Sequence, residues 1–300
     1  MPNPTTSRSI GVVVTDHAAF GAVVDNQVTG ALTRHPEPDS ADTLYAIPAD
    51  ELITLLANEI KAVAEGEPVD AIGLAFPGII RCGVIEDSPN LHQLKGLGIE
   101  AAMRTALAER GIQAALAISN DADALAAGIA ASHGRLEELV RVWTLGHGIG
   151  FGHYPPMHGV WEGGHSVVTL DPTEKFCACG GIGHLEGIMG HRAMRLRFLD
   201  LEPDEVFDAA KHGDPRCREF VHLWHRALAA ATATAIHMEG AGKFYISGLN
   251  ARFVNVNLLN RYTQEMVKLS PLLGYVFEVI PKSDELAVVG AAVNAKRTQS

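Results

Sequence analysis

Dense clusters of Lys and Arg are missing from this 300-residue chain, whose 35 acidic against 24 basic residues give a formal net charge of −11. A nucleic-acid partner is therefore not expected, because phosphate neutralisation needs concentrated positive charge. Long apolar runs are missing too. The longest, such as Ala227 to Ile236, is Ala- and Thr-rich and falls short of the ~20 residues a membrane-spanning helix requires, so no membrane partner is expected either. The polar opening from Met1 to Ser9 lacks the apolar centre of a signal peptide, and a cytoplasmic location is the expectation. Internal repeats, low-complexity tracts and clear linkers are likewise absent.

What is present is the composition of a globular protein, 47% hydrophobic and 20% charged. At this length the chain is large enough for two lobes. Three short strands, Ile10–Thr15, Phe20–Val24 and Val28–Leu32, predict a β-meander at the start. Leu52, Leu55, Leu56, Ile60 and Val63 then recur at helical spacing between Asp50 and Gly66, predicting a helix over 49–65. A strand over 71–76 stops at Pro77-Gly78, and a helix over 101–110, a strand over 114–118, a helix over 122–133 and a strand over 140–145 follow. Alternation of this kind predicts an α/β layer structure. The region from His153 to Gly190 is irregular, whereas Arg192 to His237 reads as helical, followed by a strand over 243–247, a helix over 257–269, a strand over 276–281 and a terminal helix over 283–296.

Cysteine is scarce, with four in all: Cys82, Cys177, Cys179 and Cys217. Cys177 and Cys179 stand too close in sequence to make a good disulfide, but they suit joint metal ligation. Together with His165 and His184 they form H-x11-C-x-C-x4-H, two thiolates and two imidazoles, the donor set of a closed structural zinc site. Zinc there would hold together a segment with little apolar core of its own. The alternative is a pair of ordinary thiols beside surface histidines. Cys82 and Cys217 read as structural thiols.

Several stretches, in order, resemble the ROK family of sugar kinases and sugar-responsive repressors: Ile72-Gly73-Leu74-Ala75-Phe76-Pro77-Gly78, Pro89-Asn90-Leu91, Asn120-Asp121-Ala122-Asp123-Ala124, Leu145-Gly146-His147-Gly148-Ile149-Gly150, Glu162-Gly163-Gly164-His165, and Cys177-Ala178-Cys179-Gly180-Gly181-Ile182-Gly183-His184-Leu185-Glu186. Where the family commonly has a third cysteine ligand this chain has His184, which zinc also accepts. The resemblance implies an actin-like, ribonuclease H-like α/β fold of two lobes with a cleft, the first spanning 1–121 and joined by the helix at 283–300, the second spanning 122–282 and carrying the zinc loop. It also implies a homodimer. By the same likeness Asn90, Asn120, Asp121, Glu162, His165 and Glu186 face a hexose, with Asp121 as the base that accepts the proton of the 6-hydroxyl. Taken singly, these residues have plainer roles open to them: Asp121 as a helix cap, Glu162 and Glu186 as solvated loop carboxylates, Asn90 as a turn residue.

The phosphate-binding half departs from the family. Where the family reads D-x-G-G-T-K, this chain reads Val13-Val14-Thr15-Asp16-His17-Ala18, without either glycine and with Asp16 where phosphates would lie, a repulsion of about 1–4 kcal/mol. The second loop is Gly146-His147-Gly148 instead of G-T-G, and the third glycine motif is reduced to Ser247-Gly248-Leu249-Asn250. Gly146, His147, Gly148 and Gly248 remain the nucleotide-side candidates, although Gly146 to Gly152 also serve as turn glycines at a strand exit. Mg-ATP, the donor the resemblance implies, meets an altered site here. Three readings follow: a kinase with a changed donor mode, a kinase-derived sugar-binding protein that has lost ATP use, and a new reaction on a retained sugar site. A DNA-binding repressor is not expected, because no helix-turn-helix pattern precedes Ile10.

Overall fold

The computed structural model describes residues 7–37, 40, 42–157, 159, 161–268 and 276–298. The polar opening over 1–6 and Leu269, the expected end of a helix, lie outside the described residues. The chain divides into two compact units, one of Met1–Val140, Gly152–Val160 and Ser283–Ser300, the other of Arg141–Phe151 and Trp161–Lys282. The first unit thus extends past residue 121, where the sequence had placed its end, because the helix that follows packs inside it.

The first unit begins with the expected meander, β1 (Arg8–Val14), β2 (Ala18–Val24) and β3 (Gln27–His35), paired antiparallel. The buried strand β4 (Ala71–Phe76) lies parallel to β1. A small hairpin, β5 (Ile79–Arg81) and β6 (Val84–Asp87), follows Pro77-Gly78 and was not expected from the sequence. β7 (Ala115–Asn120) completes a sheet of order β3-β2-β1-β4-β7. Helix α1 (Ala49–Ala64) buries Leu52, Leu56 and Ile60 at four-residue spacing and ends where Glu65 turns left-handed. Helices α2 (Ile99–Ala108) and α3 (Asp121–Ser132) follow. Ile10, Val12, Phe20, Leu56, Ile72, Leu74 and Phe76 share one core, each large side chain contributing roughly 1.5–3 kcal/mol by leaving water.

The C-terminal helix, Asp284–Arg297, returns to this unit, and glycines let it approach backbone to backbone. A Cβ at Gly11 or Gly73 would fall 1.9 Å from the carbonyl oxygen of Val288 or Ala291. One at Gly290 would fall 1.7 Å from that of Ala124 in α3. The helix therefore lies against β1, β4 and α3 at a distance no side chain permits.

The second sheet has the order β11-β10-β8-β9, formed by β8 (Val140–Leu145), β9 (Ile149–Tyr154), β10 (Phe244–Ser247) and β11 (Phe277–Val279), with β10 parallel to both neighbours; the second unit takes β8 from Arg141, β9 as far as Phe151, and all of β10 and β11. Strand β9 starts inside the glycine-rich stretch expected to be a loop. Its helices are α4 (Leu185–Met189), α5 (His191–Arg197), α6 (Pro203–Lys211), α7 (Pro215–Glu239) and α8 (Val256–Val267). The single helical stretch expected over 192–237 is three helices, because Pro203 and Pro215 cannot continue a helix yet suit its first position. Trp143, Phe151, Trp224 and Phe244 anchor the core, with the Trp143 indole donating to Thr232 Oγ1 at 3.1 Å. Among the described residues no helix is long and apolar enough to cross a membrane.

Candidate functional site

The four residues singled out by spacing come together in the second unit. One donor atom from each of His165, Cys177, Cys179 and His184 lies within 4.8 Å of the others. The backbone explains why. Val168 donates to the Gly183 carbonyl at 2.9 Å and Leu185 to that of Ser166 at 2.9 Å, a short ladder that sets His165 beside His184. The rings stack with centroids 5.2 Å apart. Gly181 gives room for this, since a Cβ there would meet the His184 ring at 2.0 Å. Beneath the segment, Arg197 pairs with the buried Glu174 and covers the Phe176 ring at 4.4 Å.

This donor set fits zinc. Cys177 Sγ stands 3.3 Å from Cys179 Sγ, which stands 3.2 Å from His184 Nδ1. Tetrahedral zinc with Zn–S near 2.3 Å and Zn–N near 2.0 Å has ligand–ligand edges of roughly 3.3–3.8 Å. Burial, the neighbouring Cys179 thiol and the Glu186 charge push the Cys177 thiol up to about 12. Burial and the neighbouring His165 push His184 down, leaving its imidazole neutral and able to ligate. A divalent ion held there would stabilise the Cys177 thiolate and so offset the effect of its burial.

Two expected sugar-facing carboxylates border this cluster. Glu162 Oε2 is 3.9 Å from His165 Nδ1, and Glu186 Oε1 is 4.0 Å from His165 Nε2. Glu186 is the more sheltered, its side chain 17% exposed against 41% for Glu162. His165 follows from the short turn Gly163–His165, and Glu186 lies in the first turn of α4.

In the first unit, Asn120 and Asp121 stand where β7 passes into α3. Asn120, and not Asp121, is the helix cap: its Oδ1 accepts from the Ala122 N–H at 2.8 Å while its Nδ2 donates to the Gly78 carbonyl at 2.9 Å. Asp121 is the first residue of the helix, so the capping role left open for it belongs to its neighbour. Asn90 lies exposed in the bend after β6. Asp123, to which no role was assigned from its position in the chain, accepts from the His153 N–H at 2.8 Å. Burial, with Asp121 adding to it, pushes its carboxyl up to about 6.

The turn between β1 and β2 is occupied by the protein's own charges. His17 Nδ1 lies 2.9 Å from Asp16 Oδ1 and its Nε2 3.2 Å from Asp284 Oδ2, which also accepts from Arg34 Nε at 2.9 Å. Hydrogen bonds to Asp16 and Asp284 raise His17 to about 9, and the His17 and Arg34 partners hold Asp284 down at about 2. Val13, at the family's aspartate position, is buried with its strand.

On the second unit's side, Gly146 N–H donates to the Gly148 carbonyl at 2.9 Å, closing a tight turn between β8 and β9. The Gly146 carbonyl accepts from His191 N–H at 3.0 Å and from the buried Asn250 Nδ2 at 3.1 Å. His147 meets His191 edge to face at 5.6 Å, and both line a cavity of ≈ 660 Å³ together with Arg192, Arg195, Phe198 and Glu205. Gly248, φ 103°, ends β10 against the Leu145 carbonyl. The sequence had not linked His191 or Asn250 to this turn; Asn250 stands 104 residues from Gly146, a distance no local pattern bridges.

Comparison with known proteins places these features in context. A family model described as the ROK family matches residues 10–297. A glucokinase of Pyrobaculum calidifontis is 26% identical over 258 residues, covering 80% of this chain and 83% of that protein. Among solved structures, a ROK hexokinase of Thermus thermophilus superposes with a TM-score of 0.76 at 22% identity, covering 97% of this chain and 99% of its own. A ROK-family glucokinase of Streptomyces griseus, in complex with glucose and AMPPNP, superposes with a TM-score of 0.70 at 18% identity, covering 97% and 100%. The mixed α/β fold is thus the actin-like fold of these kinases.

Proposed function

The chain belongs to the ROK family, and from that premise we propose that it binds a hexose through a zinc-supported acceptor site and is a sugar kinase of that family. Asn90, Asn120, Asp121, Glu162, His165 and Glu186 are the sugar-facing residues. Their carboxylates and carboxamides suit paired hydrogen bonds to adjacent hydroxyls, and a site of this kind rejects analogues lacking one of them. His165, Cys177, Cys179 and His184 would hold the zinc, which supplies no chemistry beyond fixing the segment that carries His165 and leads into Glu186. In transfer, the sugar O6 attacks the γ-phosphorus of Mg-ATP, the bond to the bridging oxygen breaks, ADP leaves, and Asp121 takes the proton from O6. The observation that carries this reading is the gathering of the four metal-type donors within 4.8 Å, with Glu186 against them.

One observation favours a second reading, a kinase-derived sugar-binding protein without ATP use. Phosphoryl transfer rests on positioning and charge neutralisation around the γ-phosphate. Here Asp16 and His17 of the β1–β2 turn are already paired with each other, and His17 and Arg34 with Asp284 at the start of the C-terminal helix. Calorimetric titration of a hexose panel with and without Mg-ATP separates the two. A kinase gives sugar-dependent ADP release that Asp121→Asn abolishes; a binding protein gives hexose heats and stabilisation with no response to millimolar ATP. Absence of any hexose binding refutes both.

A further inference from the structure

Glu186 reaches in two directions. Its Oε2 accepts from the Ile149 N–H at 3.1 Å, and the carboxylate lies so flat on the preceding residue that a Cβ at Gly148 would come 2.6 Å from it. Its Oε1 faces the metal-type donors, 3.4 Å from Cys177 Sγ and 4.0 Å from His165 Nε2. The turn Gly146–Gly148 is otherwise fastened at its first residue, by His191 and Asn250 at the Gly146 carbonyl. At its far end, the first N–H beyond the turn is held by Glu186.

We propose that Glu186 is a positioning residue that fastens the Gly146–Gly148 turn to the metal-ligand cluster, so that the order of this turn depends on whether the cluster is metal-loaded. A carboxylate accepting a backbone N–H makes a charge-assisted bond, stronger than a neutral one. The backbone of Glu186 belongs to the first turn of α4, directly after the ligand His184, so the carboxylate keeps its direction only while that turn keeps its place. Gly148 is required by the arrangement, since a side chain there would displace the carboxylate. The inference concerns the turn and does not depend on which sugar, if any, is bound.

Amide hydrogen exchange tests it without reference to activity. The protein is loaded with zinc alone, its stoichiometry is measured by elemental analysis, and exchange at Ile149 and His191 is compared in wild type, Glu186→Ala, Glu186→Gln and EDTA-treated protein. In Glu186→Ala the Ile149 amide is expected to exchange at least about tenfold faster while His191 is unchanged. Glu186→Gln, whose amide oxygen also accepts, is expected to keep Ile149 slow, and metal removal from the wild type to speed it. Equal exchange at Ile149 in Glu186→Ala and wild type overturns the proposal. So does acceleration spread evenly over 163–191, which marks collapse of the segment instead of loss of one tie.

Discussion

Replacing His17 by Gln keeps a polar side chain in the β1–β2 turn but removes the titrating ring. In the folded protein the ring is held protonated up to about pH 9 from an ordinary 6.5 by hydrogen bonds to Asp16 and Asp284. Were it wholly sheltered, that preference would amount to about 3 kcal/mol. The ring is 21% exposed and Asp16 53% exposed, so screening reduces the expected contribution to about 1–2 kcal/mol. A folded-state value raised above the unfolded one stabilises fully below pH 6.5, and the gain disappears as the pH climbs through 9. Urea unfolding of wild type and His17→Gln at pH 6, 8 and 10 measures it directly. The wild type should be more stable by about 1–2 kcal/mol at pH 6, by less than half of that at pH 8, and hardly at all at pH 10. A difference that stays constant from pH 6 to 10 would refute the ion network as the source of the ring's protonation.

Other expectations follow from the same geometry. Asp123, pushed up to about 6, should impose a step near pH 6 on hexose affinity through its charge beside Asp121, and titration calorimetry of Asp123→Asn should show that step removed. Cys177→Ser should lower zinc affinity at least about tenfold and lower the melting temperature, read by competition with a chelator and by calorimetry; unaltered zinc stoichiometry and affinity would count against the ligand set. Gly290→Val should cost about 3 kcal/mol or more, because its side chain would be driven into the Ala124 carbonyl, and circular-dichroism melting reports the loss.

Much of the fold was legible because its signals are local. Strand β4 ends where Pro77-Gly78 forbids continuation, and β8 matches its apolar run from Val140 to Leu145. The start of β9 was hidden by Gly150 and Gly152, whose lack of side chains erases the alternation that marks a strand. The two breaks at Pro203 and Pro215 were readable in principle, since proline suits a first helical position. The metal-type cluster was legible from spacing, for its four donors span only residues 165 to 184 and a short ladder closes them. The assignment of the cap to Asn120 was not legible, because Asn and Asp both serve and a one-residue shift in the helix start decides between them. Least legible was the tie of His17 to Asp284: the partners are 267 positions apart, and no local pattern reports a contact that exists only once the last helix has docked.

That docking governs the order in which the chain can finish folding. Strands β1 and β4 are made early, yet their glycines Gly11 and Gly73 wait for Val288 and Ala291, which are made more than two hundred residues later. During synthesis the first sheet therefore shows a bare groove lined by Gly11 and Gly73 until the helix Asp284–Arg297 is made and fills it. A truncated product ending before Ser283 would emerge with this groove open, a substrate for quality-control proteases however well its remaining segments were made.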